Sequence, residues 1–134
     1  MSSIFDKTTD ALAASLRMRQ VRHNVTSANI ANAETPGYHA KKVDFEDALA
    51  RAIDLSRLSE GTSAQNEPGI KNNLNAITAD VYDNPDAAIN NDGNTVDLEK
   101  EMSALAENSI LYKSALQLIN KKMAALKYAV SETR

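Results

Sequence analysis

The sequence predicts a mainly α fold: long N- and C-terminal helices pairing as an antiparallel coiled coil, with a short helix and an irregular middle segment between them. Three observations carry this. Apolar residues recur at helical spacing over about 30 residues at each end. The 4 glycines and 3 prolines of the 134 residues all fall between those two stretches, where they punctuate the chain. The apolar share is 43%, yet there is no Trp and only 2 Phe and 4 Tyr. Alanine supplies much of the rest, which suits close helix contacts and a thin core rather than a deep pocket. The length fits one domain over residues 1–134, divided into 1–34, 35–93 and 94–134.

The first helix is expected over residues 4–33. Ile4, Ala11, Ala14, Met18, Val21, Val25 and Ala28 form a stripe, widened by Phe5, Leu12 and Leu16. Pro36 disfavours helical geometry at Thr35, so the helix should stop near Ala33. Pro36-Gly37 suits the centre of a type II turn. A shorter helix is expected over 44–58, with Asp44 as N-cap and Phe45, Leu49 and Ile53 on one face. Residues 59–93 read as irregular. Ile70, Leu74, Ile77 and Val81 suit a helical face, and 77–82 equally suits extended chain.

Asp92-Gly93 is a turn signal, and Asn94, Thr95 or Asp97 can cap the helix that follows. That helix should run from about 97 to 130. Leu98, Met102, Leu105, Ser109, Tyr112, Leu116, Ile119, Met123, Leu126 and Val130 repeat at 4-3 spacing, a heptad seam. The first helix offers Met18, Val21 and Val25 to it. The two helices would be roughly 45 and 50 Å long, at about 1.5 Å per residue. A second row, Ala104, Leu111, Ala115, Leu118, Ala125 and Ala129, runs beside the seam, interrupted by Asn108 and Lys122. Together the rows cover an arc of roughly 160°, wider than one partner helix shelters. Leu111, Ala115 and Leu118 are therefore read as a second assembly row for other subunits.

Several functions are disfavoured. With no cysteine, disulfides, thiol catalysis and cysteine-held metals are excluded. His23 and His39 stand on different segments without metal or triad spacing. No glycine-rich phosphate loop exists. No catalytic, metal or cofactor site is expected, and the chain is read as a non-enzyme. The net charge of -3 is uneven: +3 over 1–42, -7 over 43–95 and +1 over 96–134. The acidic middle argues against nucleic acid as partner. Met1–Asp6 does not read as a secretory signal, and no stretch has the roughly 20 apolar residues that cross a bilayer. Asn29 and Asn32 read as helix-end caps or as a polar latch to a neighbouring chain. Arg17, Arg19 and Arg22 read as a solvated face or as a contact with an acidic neighbour.

The run Asn29-Ile30-Ala31-Asn32-Ala33-Glu34-Thr35-Pro36-Gly37-Tyr38 closely resembles the N-terminal signature of the axial proteins of the bacterial flagellum. These are the rod, hook and hook-associated proteins. Asp92-Gly93-Asn94-Thr95-Val96-Asp97-Leu98-Glu99-Lys100-Glu101-Met102, then Ala106-Glu107-Asn108-Ser109-Ile110-Leu111-Tyr112, resembles the C-terminal pattern of the smallest rod protein of that family. Lys41-Lys42-Val43-Asp44-Phe45 fits as well. The match spans both ends, roughly two thirds of the chain, and Thr35-Pro36-Gly37-Tyr38 favours that rod protein over the other small proximal one.

The resemblance implies a structural subunit of the proximal rod, within the periplasm, exported without a cleaved signal. It implies partners in itself and other rod proteins, and in the membrane-embedded ring and export gate at the rod base, with no direct bilayer insertion. It implies polymerisation through paired terminal helices into a hollow, torque-transmitting shaft. It also marks Phe45-x-x-x-Leu49 as a candidate export-gate motif, alongside the plain reading of a helix-face pair. The readings kept beside it are the other small proximal rod protein, a soluble helical adaptor or chaperone that grips one partner helix, and a small basic-helix binder of nucleic acid.

Overall fold

The computed structural model describes residues 7–61 and 77–132. In chain order they form α1 (Lys7–Ala31), β1 (Lys41–Asp44), α2 (Glu46–Gly61), β2 (Asp80–Asp83) and α3 (Leu98–Ser131). The readings placed on Ile4, Phe5, Ile70 and Leu74 lie outside the described residues.

The fold is mainly α, with its two long helices in contact. They run antiparallel: α1 meets α3 through Arg19 with Asn108 and, further along α1, through Asn29 with Glu101. The 34 residues of α3 make a helix of about 51 Å, and the 25 of α1 one of about 37 Å. Asp97 caps α3, its side chain accepting from Lys100 N at 3.2 Å. Glu99 and Glu101 in the first turn favour the positive end of the helix dipole. At the same end of the pair, α1 closes where Asn32 Nδ2 donates to the Ala28 carbonyl at 2.8 Å.

Of the two short strands, β1 was not expected, while β2 falls where 77–82 equally suits extended chain. Lys41–Asp44 pairs antiparallel with Asp80–Asp83, in the register Lys41 opposite Asp83 and Val43 opposite Val81. Asp44 is therefore a strand residue rather than the N-cap of α2. The helix opens at Phe45, whose carbonyl accepts from Leu49 N at 2.9 Å. The ribbon is held by side chains as well as backbone, through Lys41 with Asp83 and the Tyr82 hydroxyl with Asp44.

The core is small and lies beside the helix pair. Met18, Val43 and Phe45 form its centre, and Val21, Val25, Leu49, Ile77 and Ala79 pack around them. Phe45 is 2% exposed. The α1 residues expected to line the coiled-coil seam, Met18, Val21 and Val25, are thus engaged with this cluster. Phe45 offers them a large ring to cover, and burying such side chains is worth about 1.5–3 kcal/mol each.

The stripe that α3 turns toward α1 also differs from the expected seam. Its covered positions are Glu101, Leu105, Asn108, Tyr112, Ala115, Ile119, Lys122 and Leu126, with Asn108 and Ala115 the most buried. This stripe runs between the two expected rows and takes members from each. Of the expected seam, Leu105, Tyr112, Ile119, Met123 and Leu126 are half-buried, whereas Leu98, Met102 and Leu116 are exposed. Of the second row, Ala115 is buried, and Leu111 and Leu118 are exposed. The small side chain of Ala115 allows a close approach that a bulky leucine there would prevent, and the Asn108 amide reaches across to the Arg19 carbonyl.

Candidate assembly surface and its clasp

The turn after α1 brings three segments together. Gly37 has φ +72° and Tyr38 N donates to the Thr35 carbonyl at 3.3 Å, as a type II turn requires. Gly93 has φ +79°. Added Cβ atoms would find room at either glycine, so the positive φ, rather than crowding, demands glycine there. The two turns face each other, with Gly37 N donating to the Asp92 carbonyl at 2.9 Å.

Asn29 is the hub of this region and is fully buried. Its Nδ2 donates to the Lys41 carbonyl at 2.8 Å and to Glu101 Oε2 at 3.1 Å. Its Oδ1 accepts from Lys41 N at 3.0 Å and from the Tyr38 hydroxyl at 3.1 Å. One side chain therefore ties α1 to the turn, to β1 and to α3. Asn94 repeats the device from the other side. Its Nδ2 donates to the carbonyls of Asn32 at 2.8 Å and Thr35 at 2.7 Å, while Val96 N donates to its Oδ1 at 2.7 Å. Thr95 completes the clasp, its hydroxyl accepting from Ala40 N at 2.8 Å. Burial pushes the Glu101 carboxyl above the usual range, and the Asn29 amide only partly offsets this.

Of the expected signature residues, Asn29, Asn32, Thr35, Gly37 and Tyr38 meet in this clasp, while the ring of Pro36 is exposed. Asn32 caps its own helix, with the Thr35 hydroxyl donating to its Oδ1 at 3.1 Å. Asn29 is a latch, but within one chain. The sequence pattern offers Asn94 and Thr95 only as caps and gives Glu101 no separate role. Nothing in their local pattern announced partners some 55 to 72 residues away.

Arg17 is exposed, but Arg19 and Arg22 are not a solvated face. Arg22 Nη2 donates to Glu46 Oε2 at 2.8 Å and to the Val43 carbonyl at 2.7 Å. Its guanidinium lies 4.5 Å from the centre of the Phe45 ring, and that of Arg19 lies 5.6 Å away, within reach of cation–π attraction. Burial alone would raise the pKa of Glu46. The Arg22 hydrogen bond and nearby backbone N–H groups outweigh it and leave the carboxyl below its ordinary value.

Outside the clasp, α3 presents its uncovered apolar side chains. Leu116 is 40% exposed and Leu118 is 55% exposed, and Leu98, Met102, Ile110 and Leu111 are also open. At about 100° per residue, Leu116 lies roughly 80° to one side of Asn108 and Leu118 roughly 80° to the other. Among the described residues no group of three or more His, Cys, Asp or Glu is placed to hold a metal, and no helix is long and apolar enough to cross a membrane.

A helical pair clasped at one end, with apolar flanks left open, has the form of a subunit that packs against other chains. Residues 12–39 match the family described as flagella basal body rod protein. The chain is 33% identical over 126 residues to the flagellar basal body rod protein FlgB of Aeromonas hydrophila, covering 94% of both chains. It is 35% identical over 118 residues to that of Escherichia coli (strain K12), covering 83% of each. It is 33% identical over 121 residues to that of Cereibacter sphaeroides (strain ATCC 17029 / ATH 2.4.9), covering 88% of this chain and 89% of the relative. The chain belongs to the FlgB family of flagellar basal body rod proteins. It is a structural subunit of the basal-body rod and not an enzyme.

Proposed function

We propose that this subunit polymerises through its terminal helices into a hollow shaft that transmits torque. The observation that carries this is the apolar surface of α3 left open after α1 has packed, with Leu111, Leu116 and Leu118 exposed. Leaving side chains of this class in water forgoes about 1.5–3 kcal/mol each, and patches of this kind mark interaction sites. Assembly with other rod proteins follows from the family. The finer partners are the ring and export gate at the rod base, reached in the periplasm by export without a cleaved signal. The whole chain acts as a single rod-protein domain.

Phe45 and Leu49 serve as an export-gate motif before folding and as core after it. In the folded chain Phe45 lies beneath Arg19 and Arg22, so a gate can engage it only on an unfolded chain.

The test of the assembly reading is Leu118→Asp. It is expected to abolish incorporation into basal bodies while the free chain keeps its circular-dichroism helicity. Loss of most helicity in the free chain would make Leu118 part of an internal core and overturn the reading.

A further inference from the structure

The ladder between β1 and β2 fixes which backbone groups lie on the outer edges of the ribbon. Asn84 N donates to the Ala40 carbonyl at 2.8 Å, and these two residues stand opposite each other in the register that pairs Lys41 with Asp83. Bonded and non-bonded pairs alternate along an antiparallel ladder. Lys42 with Tyr82 and Asp44 with Asp80 are therefore the bonded pairs. The N–H and C=O groups of Lys41, Val43, Val81 and Asp83 point away from the ribbon. On the β1 side α1 meets them: Asn29 bonds both backbone groups of Lys41, and Arg22 donates to the Val43 carbonyl. On the β2 side the backbone groups of Val81 and Asp83 have no hydrogen-bond partner among the described residues. β1 is the element against which β2 packs, and Val81 is 45% exposed.

We infer that this open edge takes an extended, cationic segment of another protein as a third strand, an inference that rests on the rod-subunit reading. Unpaired groups along a strand edge are a template for such an addition. Charge selects the occupant. A groove of about 410 Å³ opens at the Asp80 end of the ribbon, where Asp44, Glu46, Asp47 and Asp80 stand against one Arg51. Asp44 and Glu46 are held by the Tyr82 hydroxyl and Arg22, and Asp83 by Lys41. Arg51 donates to the Asp47 carbonyl. No cation pairs with the carboxylates of Asp47 and Asp80 among the described residues, so a strand with Lys or Arg near Asp80 meets uncompensated charge. The β2 edge of a second copy would instead set aspartate beside aspartate, which is destabilising. The cationic strand of a second copy, β1, is already taken up by its own β2 and α1. The occupant is thus a different chain, and the contact uses none of the open side chains of α3.

Proline at position 81 deletes the outward N–H and sets its ring on the open edge without removing a ladder bond. Val81→Pro and Val81→Thr are each expressed beside the native chain, and their share of purified basal bodies is measured by mass spectrometry. Val81→Thr is expected to enter like the native chain. Entry of Val81→Pro is expected to fall by roughly tenfold or more, with the melting curve of the free variant unmoved. Equal entry of Val81→Pro would overturn the inference, and so would exclusion of Val81→Thr, which would trace the loss to the side chain. Where Val81→Pro fails to fold, hydrogen exchange of the unmodified chain decides, read on the peptide that contains Val81 and Asp83. These two amides are expected to exchange fast in the free chain and roughly tenfold or more slowly in basal bodies. Slow exchange in the free chain means an edge already paired, and fast exchange in basal bodies means an edge never paired; either result contradicts the inference. Asp80→Lys is expected to lower entry, and unchanged or higher entry would rule out a cationic occupant. Absence of the native chain from basal bodies would instead sink the rod-subunit reading.

Discussion

Asn108 on α3 donates from Nδ2 to the carbonyl of Arg19 on α1 at 2.8 Å, from a position that is only 3% exposed. A polar side chain inside a helix pair costs stability and fixes register. The second anchor, between Asn29 and Glu101, lies ten residues later in α1 and seven earlier in α3. These two bonds set how far one helix slides along the other. They therefore set where Leu111, Leu116 and Leu118 are displayed.

Asn108→Leu is expected to leave the free chain within about 1 kcal/mol of its original stability, because it also removes an acceptor that has no partner. The register signal is lost with it. Urea unfolding should show little change, while incorporation into basal bodies falls. Equal incorporation would show that the amide specifies nothing.

Asn29→Ala breaks four hydrogen bonds at a buried hub. The expected loss is on the order of 2–4 kcal/mol, from the groups left unpaired on Lys41 and Tyr38. Chemical denaturation reads it directly. A loss below about 0.5 kcal/mol would mean that water replaces the amide without penalty.

Glu46 and Glu101 are expected to pull pH dependence in opposite directions. The pKa of Glu46 is lowered in the fold, so its stabilisation is full above the ordinary glutamate value of about 4.3 and is lost as pH falls through the folded value. The pKa of Glu101 is raised, so its contribution is full below that ordinary value and is lost as pH rises through the folded one. Glu46→Gln should flatten the acid side of the stability profile. Glu101→Gln should remove the loss just above the ordinary value. Identical profiles for both variants and the parent would contradict the assignment.

Phe45→Ala separates two roles. Emptying a buried aromatic site costs about 3–5 kcal/mol, which a thermal melt of the purified chain would register. Destabilisation alone does not hinder a chain exported unfolded. Reduced secretion of the variant therefore supports motif recognition, and full secretion leaves Phe45 as packing only.

Much of the architecture was legible in the residues. Pro36 ends α1 near where it stops, Gly37 supplies the positive φ of the turn, and Asp97 starts α3. The pairing of the ribbon was not legible, although 77–82 had suited extended chain. Lys41–Asp44 and Asp80–Asp83 are four residues each, mostly charged, and too short to show alternation. The phase of the helix contact was also hidden. Rows beginning at Leu98, Glu101 and Ala104 all follow 4-3 spacing, so spacing alone cannot choose among them. Asn108 held the deciding signal: a lone amide within an apolar row marks where a backbone approaches closely enough to bond it. The clasp was half legible, since Asn29 stood out, whereas Asn94 looked like an ordinary cap.

The central claim is that the flanks of α3 are wet in the free chain and dry in the rod. Leu118→Cys gives the chain its only thiol, and the rate of maleimide labelling measures access to it. The account expects fast labelling of the free chain and at least a tenfold slower rate in intact basal bodies, about 1.4 kcal/mol of protection or more. Equal rates in a variant that still assembles would contradict it.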